Sequence, residues 1–196
     1  MQRWAAEPVR IRETVDRLRR GAVIAFPTDT LYAIGARAMD NGAVARLYAV
    51  KRRPTTQPLV WLVADRAQAE QVAEVSPAAS ALMRRFWPGA LTVVLPSRTD
   101  QATIGLRAPN HEVAQALLTE LGEPIASSSA NRAGAPPPAD ADAVIDGLDE
   151  ELDIVLDGGP CQIGEPSTIL DLSGVEPKIL RQGAIPAASL IPSQLG

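Results

Sequence analysis

The feature that most constrains the fold is the alternation of helix-period segments with short apolar runs along the chain. Ile11, Val15 and Leu18 recur at helical spacing, and the apolar run at residues 22–26 that follows them indicates a buried strand. Further helices are predicted around residues 44–48 and 113–121, and further strands at residues 59–63, 91–95, 124–127, 154–156, 168–172 and 179–181. This interleaving predicts an α/β (α+β) fold with a twisted mixed β-sheet flanked by helices. The patterns leave the strand order open.

Length and composition indicate one domain. A chain of 196 residues with 46% hydrophobic content can bury most of its apolar surface in one core, so we expect a single domain over residues 1–196 with a core at about 8–185. The one cysteine, Cys161, cannot form an internal disulfide. No signal peptide is visible, and no apolar run approaches the roughly 20 residues of a membrane-spanning helix. We therefore expect a cytoplasmic protein without a membrane partner.

The net charge of −4 conceals an asymmetry between the two halves of the chain. Residues 1–100 hold 15 Lys and Arg against 9 Asp and Glu, whereas residues 101–196 hold 4 against 14. The negative total argues against a dedicated nucleic-acid binder. Two interpretations of the basic half stay open, an anion site or amphipathic helices that expose arginines. The residues concerned are Arg17, Arg19, Arg20, Lys51, Arg52, Arg53, Arg84 and Arg85.

Five short motifs follow one another in a specific order. They are Pro-Thr-Asp-Thr-Leu-Tyr-Ala-Ile-Gly at residues 27–35, Lys-Arg-Arg-Pro at 51–54, Ile-Gly-Leu-Arg-Ala-Pro at 104–109, Ser-Ala-Asn at 129–131 and Pro-Ser-Thr-Ile-Leu-Asp-Leu at 166–172. Together they resemble the YrdC/TsaC family, from about residue 21 to residue 183. The resemblance implies a YrdC-like domain that acts as an L-threonylcarbamoyladenylate synthase, a nucleotidyltransferase. Such an enzyme condenses L-threonine, bicarbonate or CO2, and ATP into threonylcarbamoyl-AMP and pyrophosphate, for the threonylcarbamoyladenosine modification of tRNA beside the anticodon.

The resemblance also implies an ATP-binding set. Lys51 and Arg53 match the family's K-x-R pattern and are the expected catalytic residues, since an ammonium and a guanidinium can neutralise phosphate oxygens from two directions. Ser129 and Asn131 match its S-x-N pattern, and Arg181 matches a further nucleotide-contacting arginine. Taken alone, the basic run equally fits a helix end that complements the helix dipole, and Arg181 fits an ordinary edge-strand arginine.

An L-threonine pocket is implied at Thr28, Arg107, Ser127 and Ser167. Arg107 is the expected partner of the amino-acid carboxylate, because a planar guanidinium can donate two parallel hydrogen bonds to it. Without the resemblance, Thr28 fits a turn former and Ser127 a cap or local hydrogen-bonding residue. The chain departs from some relatives, with Ala33-Ile34 in place of Gly-Leu and Leu62 in place of a histidine, so the pocket is expected to differ in detail.

The residue inventory offers no other catalytic chemistry. With one histidine, His111, and one cysteine, the sequence lacks a metal-ligand cluster and a nucleophilic triad, and it contains neither a P-loop nor a dinucleotide-binding motif. We therefore expect no protein metal site and no tightly bound cofactor, with Mg²⁺ arriving together with ATP. The expected partners are ATP, L-threonine, bicarbonate, a possible RNA or tRNA contact and a downstream threonylcarbamoyl-transferase complex.

Two alternatives to the synthase remain. One is an RNA-binding or translation-associated module without synthase activity, whose binding would be strongly salt-dependent. The other is a relative that forms carbamoyl-adenylate from carbamoyl phosphate. The chain resembles the short form of the family, since longer relatives add a C-terminal domain. The proline-rich loop at residues 133–138 is the candidate for a segment that closes the site.

Overall fold

A computed structural model describes residues 1–148 and 152–190. Its helices are α1 (Pro8–Arg19), α2 (Asn41–Lys51), α3 (Arg66–Val72), α4 (Pro77–Phe86), α5 (Glu112–Leu121) and α6 (Ala141–Leu148), and a short 3-10 helix follows at Ala187–Ser189. Its strands are β1 (Gln2–Ala5), β2 (Ile24–Phe26), β3 (Ala33–Arg37), β4 (Val60–Leu62), β5 (Leu91–Pro96), β6 (Thr103–Arg107), β7 (Ile125–Ser129), β8 (Ile154–Asp157), β9 (Thr168–Asp171) and β10 (Lys178–Arg181). Part of the domain expected over residues 1–196, namely 149–151 and 191–196, lies outside the described residues.

The strands form one mixed sheet in the order β1-β8-β2-β3-β7-β4-β6-β5-β9-β10. Parallel pairs join β1 to β8, β2 to β8, β4 to β6 and β5 to β9. The remaining neighbours pair in antiparallel fashion. The fold class expected from the alternating pattern, a mixed sheet flanked by helices, is confirmed.

Helices pack against both faces of the sheet. On one face, α2, α3, α4 and α6 cover a core that includes Ile34, Trp61 and Leu106. On the other face, α1 and α5 pack over the part built by β8, β2, β3 and β7, where Phe26 and Leu156 are buried. Beyond α1 and α5, this second face continues over β4, β6, β5 and β9. There it forms the floor of a cavity.

The alternation of residues along β5 and β6 explains why that part of the sheet is polar on one side. Successive side chains of a strand point to opposite faces. Leu91, Val93 and Leu106 belong to the apolar core, whereas Thr92 and Arg107 face the cavity. The sequence of these two strands therefore encodes one covered face and one face suited to a polar ligand.

The helix before the cavity is delimited by specific end residues. Asp40 caps the start of α2, because its side chain accepts a hydrogen bond from the backbone N–H of Ala43 at 3.0 Å. Arg52 ends the helix in the left-handed region with φ of +50°. The backbone N–H of Arg53 then reaches back to the carbonyl of Tyr48 at 3.0 Å. Because the helix ends in this way, the side chains of Lys51 and Arg53 leave the end of α2 in different directions.

All of the predicted elements are confirmed, within three residues at their ends. The predicted helices correspond to α1, α2 and α5, and the predicted strands to β2, β4, β5, β7, β8, β9 and β10. The sequence analysis missed β1, β3, β6, α3, α4 and α6. The start of α4 carried a readable signal, since Ser76 caps the helix and Pro77 occupies its first turn. By contrast, β1 is a largely exposed edge strand without an apolar run.

Within residues 1–148 and 152–190, no helix combines the length and the apolar character needed to cross a membrane.

Candidate active site

The cavity has a volume of about 320 Å³ and uses the exposed part of the sheet as its floor. Two adjacent cross-strand rows build this floor. In one row Leu62 pairs with Arg107, and Thr92 pairs with Ile169. In the other row Val60 pairs with Ser127 on one side and with Gly105 on the other. Because these strands are neighbours in the sheet, residues that are far apart in sequence share one surface.

Three guanidinium groups line the cavity, those of Arg53, Arg107 and Arg181, and its lining residues among the described part of the chain include no carboxylate. Seven serine and threonine residues complete the polar wall, namely Thr28, Thr30, Thr92, Ser127, Ser128, Ser129 and Ser167. Cationic forks surrounded by neutral hydroxyls favour an anionic ligand, because charge-assisted hydrogen bonds to carboxylate or phosphate oxygens are the strong ones.

Arg107 is held in place by three protein acceptors. Its Nη2 donates to Oδ1 of Asp29 at 2.5 Å, its Nη1 donates to Oγ1 of Thr30 at 2.7 Å, and its Nε donates to the carbonyl of Gly89 at 2.9 Å. The side chains of Arg107 and Asp29 are only 7% and 3% exposed. Burial lowers the pKa of Arg107, and the Asp29 carboxylate opposes that shift. A guanidinium has five donors, so two remain for a ligand.

The turn after β2 supplies the two side-chain acceptors of Arg107, Asp29 and Thr30. Thr28 organises the turn, because its hydroxyl donates to the carbonyl of Leu31 at 2.7 Å and accepts from the backbone N–H groups of Thr30 and Leu31, both at 3.2 Å. This geometry confirms the turn-former interpretation of Thr28, while Thr28 also lines the cavity. Asp29 is fixed in the same turn and additionally accepts from the backbone N–H of Asn110 at 3.0 Å.

The opposite wall joins β5, β9 and β10. The hydroxyls of Ser167 and Thr92 lie 2.8 Å apart. Arg181 donates to Ser167 three times, from Nε and Nη2 to the carbonyl at 3.1 and 2.8 Å and from Nη2 to the hydroxyl at 3.1 Å. Gly183 permits this close approach, because a Cβ there would lie 2.2 Å from the carbonyl oxygen of Pro166.

Lys51 stands behind the cavity wall rather than in it. Its ammonium donates to the backbone carbonyls of Ser129 and of Asn131, the latter at 2.7 Å, and its own carbonyl accepts from Ala133 at 3.1 Å. Lys51 is 2% exposed, and burial, assisted by the nearby Arg53, lowers its pKa to about 8. Lys51 thus ties the end of α2 to the chain that leaves β7.

The proline-rich loop expected at residues 133–138 is present and is anchored at several points. The side-chain amide of Asn131 donates to the carbonyls of Arg132 at 3.0 Å and Ala135 at 2.7 Å. The carbonyl of Pro138 accepts from Tyr32 at 3.0 Å, and Pro137 lines the cavity. These bonds make the loop a fixed wall in this structure, and its role in closing the site remains a prediction.

The structure brings most of the predicted site residues together. Thr28, Arg53, Arg107, Ser127, Ser129, Ser167 and Arg181 line the cavity. Lys51 and Asn131 do not, since their polar groups are hydrogen-bonded to the backbone beside it.

Several residues of the site were not predicted from the sequence, four of which bear directly on ligand binding. Thr30, Thr92 and Tyr32 line the cavity, and Asp29 orients Arg107 from below. The polar alternation in β5 could have revealed Thr92. The pairing of Asp29 with Arg107 had no local signal, because 77 residues separate the two in the chain.

The basic cluster proposed from composition is largely dispersed. Of its eight residues, the cavity wall contains Arg53 alone. Arg19 instead pairs with Asp16 at 3.3 Å and donates to the carbonyl of Glu120. The other two arginines of the wall come from the acidic half of the chain.

Among the described residues, no group of three or more His, Cys, Asp or Glu side chains could hold a metal ion. His111 caps α5, where its Nδ1 accepts from the backbone N–H of Val113 at 3.2 Å, and burial lowers its pKa. The half-buried thiol of Cys161 has its pKa raised by burial to about 11. Neither residue offers an activated nucleophile or base.

Known proteins share both the sequence and the fold. The model of the Sua5/YciO/YrdC family, described as "Telomere recombination", matches residues 16–183. The threonylcarbamoyl-AMP synthase of Bacillus subtilis (strain 168) is 41% identical over 185 residues, which cover 89% of this chain and 54% of that protein. The crystal structure of P. abyssi Sua5 complexed with L-threonine superposes with a TM-score of 0.91 at 36% identity, over 97% of this chain and 60% of that one.

A relative of similar length also has the same fold. The crystal structure of E. coli YciO gives a TM-score of 0.86 at 28% identity and covers 94% of both chains. This chain therefore spans little more than half the length of the B. subtilis and P. abyssi synthases, and nearly the whole length of YciO. The match over residues 16–183 and the identity to relatives lead to one conclusion: the chain belongs to the Sua5/YciO/YrdC family.

Proposed function

We propose that this protein is an L-threonylcarbamoyladenylate synthase that acts in the threonylcarbamoyladenosine modification of tRNA. The observation that carries the proposal is the single cavity in which Arg53, Arg107 and Arg181 face seven hydroxyl-bearing residues. The reactants carry a carboxylate, a bicarbonate and a triphosphate, so a cationic and hydroxyl-rich wall matches their shared chemistry. The names of the relatives support the same activity.

The reaction needs no protein nucleophile. The amine nitrogen of L-threonine bonds to the carbon of CO2 and loses a proton, which gives a carbamate. A carbamate oxygen then attacks the α-phosphorus of ATP, and the bond to the pyrophosphate oxygen breaks. The protein would contribute by holding the reactants together and by stabilising negative charge on the phosphate oxygens.

The cavity divides naturally into two parts. Arg107 would bind the carboxylate of L-threonine with the two donors that its protein partners leave unused, beside Thr28, Ser127 and Ser167. Arg53 and Arg181 lie on other elements of the wall and would bind the phosphates of ATP together with Ser129.

Lys51 and Asn131 would serve the ATP side in a different manner. Lys51 holds the backbone carbonyl of Ser129, and the side-chain Oδ1 of Asn131 accepts from the Ser129 hydroxyl at 2.5 Å. The charge of Lys51 adds positive potential from behind the wall. Their direct contact with ATP, and a catalytic role of Lys51, stay predictions.

Mg²⁺ would enter with ATP. The lining residues supply neutral hydroxyl oxygens and no carboxylate. The ion would therefore be coordinated mainly by phosphate oxygens and water, with the wall hydroxyls as further ligands. When bound, it would neutralise charge on the triphosphate and promote departure of pyrophosphate.

The test is product formation by the purified protein with L-threonine, bicarbonate, ATP and Mg²⁺, with each component omitted in turn. We expect a mass corresponding to threonylcarbamoyl-AMP, and stoichiometric pyrophosphate, only when all components are present. Pyrophosphate release that requires carbamoyl phosphate instead would support the carbamoyl-adenylate relative. Absence of any product, together with salt-sensitive tRNA binding, would support the RNA-binding module.

A further inference from the structure

A glycine lies beside the cavity floor, next to two residues that line the cavity, Val60 and Thr92. Gly105 is on β6 between Val60 of β4 and Val94 of β5, and it is two residues before Arg107 on the same face of the strand. Gly105, Val60 and Val94 are half-buried, so this row is open toward the cavity side of the sheet. The missing side chain leaves a gap in an otherwise continuous row of side chains.

Methyl groups surround this gap. A Cβ at Gly105 would lie 3.7 Å from Cγ2 of Thr92, 3.7 Å from Cγ2 of Val60 and 3.9 Å from Cγ2 of Val94. These are ordinary van der Waals distances, and two of the three residues, Thr92 and Val60, line the cavity. The gap is therefore an apolar slot with room for about one methyl group within a polar cavity.

The slot and the carboxylate-binding residue lie on the same face of β6, two residues apart. Residues i and i+2 of a strand are separated by roughly 7 Å. Val60 and Thr92, two walls of the slot, line the same cavity as Arg107, so a small amino acid held by its carboxylate on Arg107 would share that cavity with the slot. The carboxylate end is thus fixed by charge, and the side-chain end meets the methyl-lined slot.

We propose that Gly105 determines the amino-acid specificity of the site, because the slot between Val60, Thr92 and Val94 receives the methyl group of an amino acid that carries both a β-hydroxyl and a β-methyl. The proposal rests on the proposed function, and it names the feature that separates L-threonine from L-serine. L-Serine would keep the carboxylate and hydroxyl contacts and leave the slot unfilled. One methyl group in an apolar pocket gives discrimination of about 10- to 200-fold.

The test is calorimetric binding of L-threonine and of L-serine to the wild-type protein and to Gly105→Ala. For the wild type we expect at least about tenfold tighter binding of L-threonine. In Gly105→Ala the new methyl occupies the slot, so L-threonine should lose about tenfold in affinity while L-serine changes by less than about threefold. Gly174→Ala is the matched control, since a Cβ at Gly174 meets no atom within 4 Å.

A second variant changes the slot in the opposite direction. Val60→Ala removes one methyl from the wall, and the ratio of L-threonine to L-serine affinity should again fall, although the slot is now larger. Equal losses for both amino acids in Gly105→Ala, or an unchanged ratio in both variants, would overturn the proposal.

The outcome of this test is distinct from that of the synthase test. Selective binding of L-threonine that depends on Gly105, without adenylate formation, would support the slot and contradict the synthase. Adenylate formation with an amino-acid preference that neither variant alters would support the synthase and contradict the slot. A wild-type protein that binds neither amino acid would overturn the slot.

Discussion

Nη2 of Arg107 lies 2.5 Å from Oδ1 of Asp29, and this pair is buried beneath the ligand cavity. Asp29 is on the turn after β2, whereas Arg107 ends β6, so the contact joins two distant parts of the sheet. The pair leaves the cavity with a guanidinium whose direction is fixed and which has two N–H donors beyond its three protein partners. It therefore connects the stability of the fold with the binding of an anionic substrate.

Asp29→Asn should destabilise the protein by about 3 kcal/mol, because a buried guanidinium would lose its only ion-pair partner among the described residues. The measurement is urea denaturation at neutral pH. Glu13→Gln is the control, since Glu13 pairs with Arg10 at the surface and should change the free energy of unfolding by less than about 1 kcal/mol. Equal effects of the two substitutions would contradict this account.

Arg53→Ala should weaken ATP use by at least about tenfold in kcat/KM, since a charged hydrogen-bond donor would be removed from the cavity wall. Steady-state pyrophosphate release at varied ATP concentrations measures this effect. Arg52→Gly is the matched control at the neighbouring position of the chain. Its side chain is exposed and outside the cavity wall, and its φ of +50° suits glycine, so ATP kinetics should stay within about twofold of the wild type. A larger loss in Arg52→Gly than in Arg53→Ala would contradict the assignment of Arg53.

Lys51 should make the free energy of unfolding depend on pH in the alkaline range. The pKa of Lys51 is about 8 in the folded protein, against 10.5 for a lysine side chain exposed to water, so between these pH values the unfolded chain binds the additional proton. Stability therefore increases as the pH rises through this window, and the cost of burying the charge is fully present below pH 8.

The comparison is Lys51→Met, which fills a similar volume without a charge. Relative to this variant, the wild type should gain about 1–3 kcal/mol in the free energy of unfolding between pH 7.5 and pH 10. Urea denaturation at several pH values gives the difference. A difference that is constant over this range would show that Lys51 does not change its proton affinity on folding.

Gly183→Ala should disrupt the wall that Ser167 and Arg181 share. The added Cβ would lie 2.2 Å from the carbonyl oxygen of Pro166, so the backbone must move. We expect a loss of about 2 kcal/mol or more in stability and a marked fall in adenylate formation. Thermal unfolding and product formation measure the two effects. Gly174→Ala should leave both unchanged.

Much of the sheet was predictable from the sequence because its strands are buried on at least one face. The runs at β2, β5 and β8 are apolar and rich in β-branched residues, which is the local signature of a covered strand. The elements that were missed are short or largely exposed, as in β1, or lie within motifs that drew attention to their polar residues, as in β6. Local pattern alone gave no order for the strands.

The candidate site, like the sheet, was only partly predictable from the sequence. The motifs at residues 27–35, 51–54, 104–109, 129–131 and 166–172 indicated which segments take part, and seven of the nine predicted residues line one cavity. Their orientation was not predictable from the sequence. Lys51 and Asn131 have the expected chemistry, yet the Lys51 ammonium and the Asn131 side-chain NH2 donate to backbone carbonyls, and Oδ1 of Asn131 accepts from the Ser129 hydroxyl.

Alternation, helical periodicity and motif spacing are local properties of the chain, so the fold class, the family and the segments that carry the site could be identified from the amino-acid sequence. Only the tertiary structure decided that Asp29 faces Arg107, that Lys51 supports Ser129 from behind and that Gly105 opens a slot between Val60 and Thr92. These relationships depend on strand order and register. A shift of one residue in pairing would turn each side chain to the other face of the sheet.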